Sequence, residues 1–587
     1  VELKVIVSEQ KRSKNMRFLS LSVVLVLAIA LGAMRLAYTD WQVPGANVLT
    51  WDAFGYYLYL PGKFIYHDLG KLVWLPGILE GYRPTGPLYQ TIALPNGNFA
   101  MKYLMGLSIL YAPFFFLGHW AAGWLGYPQD GFSAPYPIAI CFGAWVYALL
   151  GLLVLRRVLR RFFSEWTTAL TLLLVGLATN YPQYVAVDSA MTHGFLFAVY
   201  AVALLLIVRW HERPSVVGAF WVGLVIGLGS ITRPTEGVML FLAWLWSMKS
   251  GSKWAFFKQN PAQLGAAVLG GFLGILPQLI YWKAVTGGWI FDVGAKFLFF
   301  RPHWQVLVGW EKGWLIYTPV AGLMLAGLFF LRSYPFRKAV LTFALLNVWI
   351  VIAWADWRYG ASYSCRALVQ SYPVMALPLA ALLQNVEKNW LRWGVWLGAF
   401  FLVYLNLFQV WQYNRGILHY NDMNRDYYRA IFLSARPSPL EMSLLDTKER
   451  PRDEGLLKSK GVLRLDSMYL INKEKHAKAA LLEMPVRDLR GWEAGAEQWL
   501  RVSVQVMSAW GAFDSWLVAE LGAGEGQQKR TACRLENAIC KKGAWNTIEF
   551  YFCLPPEWQG GKLRIGAETN TVQDIYIQGL TLTLLGR

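Results

Sequence analysis

The chain has 587 residues, of which 56% are hydrophobic and only 16% charged. That composition is too apolar for a water-soluble protein of this size and leaves room for one membrane domain and one soluble domain. A formal net charge of +19 could suggest nucleic acid, but the basic residues sit in short clusters between apolar runs, so no nucleic-acid partner is expected.

Residues 1–17 are polar and basic, and the apolar run at 18–38 has about the length a helical span needs. The residues near Ala33 make a poor cleavage site, so the run reads as an uncleaved first helix. Further apolar runs lie at 137–155, 167–180, 195–208, 264–282 and 391–411. Basic clusters lie at 11–17, 156–161, 209–213, 249–258, 332–338 and 388–392. The positive-inside rule puts these clusters in the cytoplasm, which about eleven spans satisfy, with the N-terminus in and the C-terminus out. The expected spans are 17–38, 135–157, 166–182, 192–209, 215–230, 235–249, 262–283, 314–331, 338–355, 367–384 and 392–412. The apolar segment 101–127 must then lie at the outer interface rather than cross. Outward segments are the long loop 39–134, then 286–313 and 355–366.

Hydropathy falls after Trp411. Residues 413–461, with Pro437, Pro439 and Pro451, read as a linker with short helices. Period-two alternation at 499–507, 516–521, 547–552, 562–567 and 574–585 predicts an antiparallel β-sandwich over 462–587. It is either a jelly-roll carbohydrate-binding module or a sandwich that packs on the membrane domain. The expected fold class is therefore a polytopic α-helical membrane protein, membrane domain 1–412, with a C-terminal all-β sandwich. Of the five cysteines, Cys141 and Cys365 lie in or beside the membrane, and Cys533, Cys540 and Cys553 lie in the β-domain. If that domain is outside the cell, Cys533 and Cys540 could form a disulfide. No CxxC or paired His suggests zinc.

The first outward loop opens with Thr50-Trp51-Asp52-Ala53-Phe54-Gly55-Tyr56-Tyr57. A partly desolvated carboxylate at a membrane–water boundary can act as a general base toward a hydroxyl, and Tyr56 and Tyr57 could pack on a sugar face. Alternatively, Asp52 caps the next short helix. Asp188 and His193 occupy the turn before the fourth expected span, and Arg233 the turn between the fifth and sixth. Lys296, Arg301, Lys312, Arg358 and Arg366 lie in the later outward segments. Outward cations near the bilayer often serve a bound anion, and Arg grips phosphate through its planar fork. The competing reading pairs Arg233 with Glu236 and Arg358 with Asp356. There is no Walker loop or dinucleotide fingerprint, so an outward-facing enzyme would draw on a membrane-lipid donor.

These features together resemble the GT-C glycosyltransferase superfamily, in its protein-mannosyltransferase and aminoarabinose-transferase branch. The resemblance rests on Asp52 after a first span, with Tyr56 and Tyr57 behind it, and on a juxtamembrane helix after Lys102-Tyr103. It continues in Pro135-Tyr136-Pro137, in Val187-Asp188-Ser189-Ala190-Met191-Thr192-His193-Gly194, in Thr232-Arg233-Pro234-Thr235, and in 313–319 and 359–373. It covers about residues 15–415.

The resemblance implies a polyprenyl-phosphate-sugar-dependent glycosyltransferase in a bacterial inner membrane, with its β-domain periplasmic. The acceptor would be a glycan, lipid or protein. Asp52 would be the general base of an inverting transfer, and Arg233, Arg301, Arg358, Arg366 and Lys296 would bind the donor phosphate. Tyr56, Tyr57, Asp188, His193 and Lys312 would contact sugar or acceptor. The family often carries an adjacent Asp-Glu pair, whereas Ala53 follows Asp52 here, so no metal or other cofactor is expected. A lipid or sugar transporter and a non-catalytic glycan-binding scaffold are the competing functions.

Overall fold

In the computed structural model, the described residues are 18–39, 48–248, 252–386, 389–523, 527–536, 542–557 and 560–587. They form two compact units, Val1–Leu407 and Phe408–Arg587. The basic cluster at 11–17 and Cys540 lie outside the described residues, as do parts of the clusters at 249–258 and 388–392.

In chain order the main helices are α1 (Leu19–Ala37), α2 (Trp51–Tyr57), α3 (Gly106–Leu125), α4 (Pro135–Leu159), α5 (Glu165–Leu177), α6 (Thr192–Glu212), α7 (Val216–Thr232), α8 (Pro261–Thr286), α9 (Val320–Gly327), α10 (Arg337–Ala353), α11 (Tyr372–Gln384) and α12 (Asn389–Asn414). Among the described residues, six stretches are long and apolar enough to cross a membrane: α1, α4, α6, α8, Arg366–Gln384 and Trp393–Asn414. The chain is a multi-pass membrane protein. The other five expected spans coincide with shorter helices, at Glu165–Leu177, Val216–Thr232, Pro234–Leu245, Val320–Phe330 and Arg337–Ala353. Helix α3 has the length to span, but its His, Trp and Pro residues lower its hydropathy, and it is not one of the six.

Sequence chemistry sets several helix ends. Ser164 caps α5 and Ser215 caps α7, each hydroxyl accepting a backbone N–H of the first turn. Glu165 gathers the neighbouring ends of α1 and α4. It accepts from the Ser20 hydroxyl at 2.6 Å and pairs with Arg160 at 2.5 Å.

Helices α7 and α8 approach closely through glycines four residues apart. A Cβ on Gly223 or Gly227 would strike the backbone of Ala267 or Gly271, and one on Gly270 or Gly274 the backbone of Phe220 or Leu224. Small residues at this spacing let helix backbones meet, and van der Waals contact then replaces the hydrophobic drive that lipid cannot supply.

Between α2 and α3 the chain forms a two-stranded ribbon, β1 (Thr91–Ala93) with β2 (Phe99–Met101). Its turn passes through Gly97 at φ 74°, a conformation glycine adopts without penalty. Asn96 and Asn98 both donate to the Val285 carbonyl, and the Met101 N–H donates to the Tyr281 hydroxyl at 2.8 Å, so the ribbon docks on the end of α8.

In the second unit the strands are β3 (Lys458–Leu465), β4 (Tyr469–Ile471), β5 (Lys478–Pro485), β6 (Gln498–Met507), β7 (Ser515–Ala523), β8 (Gln527–Arg534), β9 (Asn546–Leu554), β10 (Lys562–Thr569) and β11 (Ile575–Gly586). They make two antiparallel sheets, ordered β5-β10-β7-β8 and β3-β11-β6-β9, with β4 also pairing β11. Alternate residues of both sheets, such as Leu500, Val502, Leu517, Leu563 and Leu582, share one core. The expected sandwich is present.

The segment expected as a linker binds this sandwich. Asp446 accepts both the backbone N–H and Nε of Arg534, and Glu449 accepts the Cys553 N–H at 2.7 Å. Cys533 is a buried thiol on β8.

Candidate active site

Asp52 lies in the first turn of α2. Its carboxylate does not cap that helix; it faces side chains brought from far along the chain. Tyr89 and Tyr103 both donate to Oδ1, at 2.8 and 2.6 Å, and Arg366 donates to Oδ2 at 2.8 Å.

The ribbon explains the tyrosine pair. Thr91 pairs with Met101, and the Lys102 N–H donates to the Gln90 carbonyl, so the flanking Tyr89 and Tyr103 emerge side by side. Tyr103 fits only because residue 55 is glycine: a Cβ there would overlap the Tyr103 ring. Trp51, at φ 49°, sits just ahead in the left-handed region, where Pro84 and Gln90 hold its backbone by hydrogen bonds.

Arg366 opens a 3-10 turn that runs into α11. The loop before it is strained, with Tyr359 and Ser364 both at φ 54°. Buried bonds fix it. Lys312, 1% exposed, donates to the Gly360 and Ser362 carbonyls at 3.0 and 2.9 Å. Asn180 donates to the Cys365 carbonyl, and the Tyr184 hydroxyl to that of Tyr363.

The charges follow from this geometry. Burial pushes the Asp52 carboxyl up, but the Arg366 guanidinium and the hydrogen bonds from Tyr103 and Tyr89 outweigh it and hold the group below the usual carboxylate range. Burial and the Asp52 charge push both phenols up, so each remains a donor. Burial also pushes Tyr56 up to about 12, against the pull of Arg233.

Arg233 is half-buried where α7 ends. It does not pair with Glu236. That carboxylate takes Tyr200, Gln370 and Thr235, while the Arg233 side chain has no hydrogen bond or ion pair among the described residues. Arg233 acts electrostatically on Tyr56 and His193, as do Arg366 and Asp52, so these groups form one cluster. Asp188 also feels Arg366; burial pushes its carboxyl up, and Gln183 donates to it at 3.0 Å.

The remaining sequence candidates have other surroundings. Arg358 pairs with Glu311 at 2.9 Å and stacks over Trp357. Arg301 and Lys296 are exposed, with no side-chain hydrogen bond or ion pair among the described residues. Tyr57 is wholly buried, and its hydroxyl donates to the Gly131 carbonyl at 2.5 Å. Tyr57 and Lys312, for which the sequence suggested sugar contacts, are thus both buried and bonded to backbone carbonyls.

Tyr89, Gln370 and Tyr200 had no sequence signal. Tyr89 stands 37 positions from Asp52, and Tyr200 and Gln370 stand 36 and 134 positions from Glu236, too far apart for a local pattern to link them. Among the described residues, no group of three His, Cys, Asp or Glu side chains is placed to hold a metal ion.

No family model matches the chain. A stretch of 86 residues is 35% identical to the protoheme IX farnesyltransferase of Flavobacterium johnsoniae, covering 14% of this chain and 27% of that protein. The chain thus spans about a quarter of the curated relative it matches. Among solved structures, it aligns with ArnT from Cupriavidus metallidurans in the apo state over 70% of this chain and 68% of that one, at 14% identity and a TM-score of 0.40. It aligns with the arabinosyltransferase EmbB from Mycobacterium smegmatis over 82% of this chain and 64% of that one, at 13% identity and a TM-score of 0.27. At these scores, function must be read from the site itself.

Proposed function

We propose that the protein is a membrane glycosyltransferase that moves a sugar from a polyprenyl-phosphate donor to an extracytoplasmic acceptor. The observation that carries this reading is an Asp52 carboxylate gripped by Arg366, together with a second guanidinium, that of Arg233, which acts electrostatically on the same Tyr56. One anionic group and two cations at the ends of apolar helices suit a reaction in which a hydroxyl loses a proton and a lipid phosphate leaves.

The acceptor hydroxyl gives its proton to Asp52. Its oxygen attacks the anomeric carbon from the face opposite the phosphate, which inverts that centre. The carbon–oxygen bond to phosphate breaks, and the electron pair leaves on the phosphate oxygen beside Arg233 and Arg366. A carboxylate locked to a guanidinium is a weak base. A phosphate that draws Arg366 toward itself loosens that lock, so donor binding strengthens the base where it is needed. The two guanidiniums supply the positive charge, and the reading assigns no obligatory metal.

In this role the protein sits in a bacterial inner membrane, with its N-terminus cytoplasmic and the sandwich periplasmic. There the sandwich meets the acceptor, a glycan, lipid or protein.

The test uses purified full-length protein in lipid nanodiscs. It is offered undecaprenyl-phosphate-linked glucose, mannose, arabinose and N-acetylglucosamine in turn, and release of undecaprenyl phosphate is followed by thin-layer chromatography. Release from one member, lost in Asp52→Asn, supports the reading. No release from any member, with no binding of undecaprenyl phosphate, overturns it.

A further inference from the structure

His193 is the second residue of α6 and is 1% exposed. Its Nδ1 lies 2.9 Å from Oε1 of Gln370. Gln370 in turn donates from Nε2 to Glu236 Oε1 at 3.1 Å, and Glu236 also takes the Tyr200 hydroxyl at 2.5 Å. The network fixes a tautomer. The Gln370 NH2 donates to Glu236, whose two oxygens also take the Tyr200 and Thr235 hydroxyls, so the Gln370 oxygen faces His193. An amide oxygen also only accepts, so the hydrogen of a neutral imidazole sits on Nδ1. Nε2 is then a bare lone pair. It is buried, and it has no hydrogen-bond partner among the described residues.

A buried acceptor left without a donor is rare enough to need an explanation. Here the surroundings supply one. Arg233, Arg366 and Asp52 all act electrostatically on His193, which ties it to the candidate active site. Apart from the Asp52 carboxylate, that site offers donors: two guanidiniums and the phenols of Tyr89 and Tyr103. Nε2 is a neutral acceptor among them.

We propose that His193 Nε2 reads the substrate by accepting a hydrogen bond from a hydroxyl of the transferred sugar, with Gln370 and Glu236 as positioning residues that hold the accepting tautomer. The choice of a sugar rests on the function proposed above; the tautomer does not. A site built to receive a hydroxyl hydrogen discriminates strongly against a sugar lacking it, because the lone pair then stays unsatisfied.

The experiment reads the imidazole directly. Full-length protein with 15N-labelled histidine is placed in nanodiscs, and the His193 resonances are assigned by their loss in His193→Gln. The expected spectrum shows Nδ1 protonated and Nε2 bare. Glu236→Gln lets the amide turn round and mixes the tautomers; Gln370→Leu does the same if the first variant does not fold. One of the four lipid-linked sugars shifts Nε2 toward its hydrogen-bonded position, and undecaprenyl phosphate alone does not. In turnover, His193→Phe lowers kcat/KM by about 100-fold, and His193→Gln, which keeps an acceptor, recovers part of it.

A protonated Nε2 in the free protein overturns the proposal. So does a sugar lipid that binds and turns over without moving Nε2, or an equal shift with undecaprenyl phosphate alone. If no lipid-linked sugar binds, the transferase reading and the ligand assigned to Nε2 fall together, and the tautomer is judged by the free spectrum.

Discussion

Asp52 accepts from two phenols and a guanidinium, and each partner favours its ionised form. Asp52→Asn keeps the shape and removes the charge, so it should lower transfer by about 10²–10⁴-fold while the protein still elutes as a monodisperse species. The sign of the pH effect follows from the lowered pKa. The pair stabilises the fold wherever Asp52 is ionised, and that contribution is lost as pH falls through the folded-state value. The difference in melting temperature between wild type and Asp52→Asn should therefore stay constant from about pH 8 to 5 and shrink below about pH 4. A difference that vanishes near neutral pH would contradict the ion pair. Lys312 makes the opposite case. Its ammonium holds the loop that presents Arg366, so Lys312→Met strands buried carbonyls and should cost about 2–3 kcal/mol in thermal unfolding. Its residue type and outward position suggested a ligand contact; only its burial separates it from Arg233.

At the scale of the element, the β1–β2 ribbon turns a sequence-distant pair into a site. Asp52 was legible as a carboxylate beside the first span, and Arg233 and Arg366 as cations on the wrong side of the charge rule. Tyr89 was not, because a six-residue ribbon with a Pro-Asn-Gly-Asn turn carries too short an alternation to reveal its register. Arg366 meets Asp52 across 314 positions, a contact no local pattern encodes. Gly55 is the place to test the arrangement. Gly55→Ala sets a methyl against the Tyr103 ring, which is anchored at its hydroxyl by Asp52, so the ring must move. The expected result is a fall in kcat/KM with a stability loss of about 1–3 kcal/mol, and Tyr103→Phe in the same background should lower kcat/KM no further. Additive losses would show that Gly55 acts elsewhere.

At the scale of the molecule, hydropathy and charge were enough to separate a membrane unit from a β-rich one, because each class of core leaves its own period in the chain. The strands that were legible, β6, β7, β9, β10 and β11, bury apolar residues at alternate positions. Strand β8 was not legible: its inward positions include Lys529, Thr531 and Cys533, which give little apolar rhythm. The same polar strand receives the segment expected as a linker. Arg534 on β8 is held by Asp446 at 2.7 Å and Asp422 at 2.8 Å, and Lys529 by Glu449 at 3.1 Å. Arg534 and Asp446 are 12% and 5% exposed, so removing the acid leaves a nearly buried guanidinium without its main counter-charge. That penalty is large because desolvation is no longer offset by attraction. Two soluble fragments should therefore behave differently. Residues 415–587 retain Asp422, Asp446 and Glu449, whereas residues 458–587 keep every strand but lose all three acids. The longer fragment should unfold cooperatively, and the shorter one should be less stable by about 3 kcal/mol or fail to fold. Asp446→Asn in the longer fragment isolates the cause: it should reproduce much of the loss, and equal stability of all three proteins would show that the 415–457 segment is a tether after all.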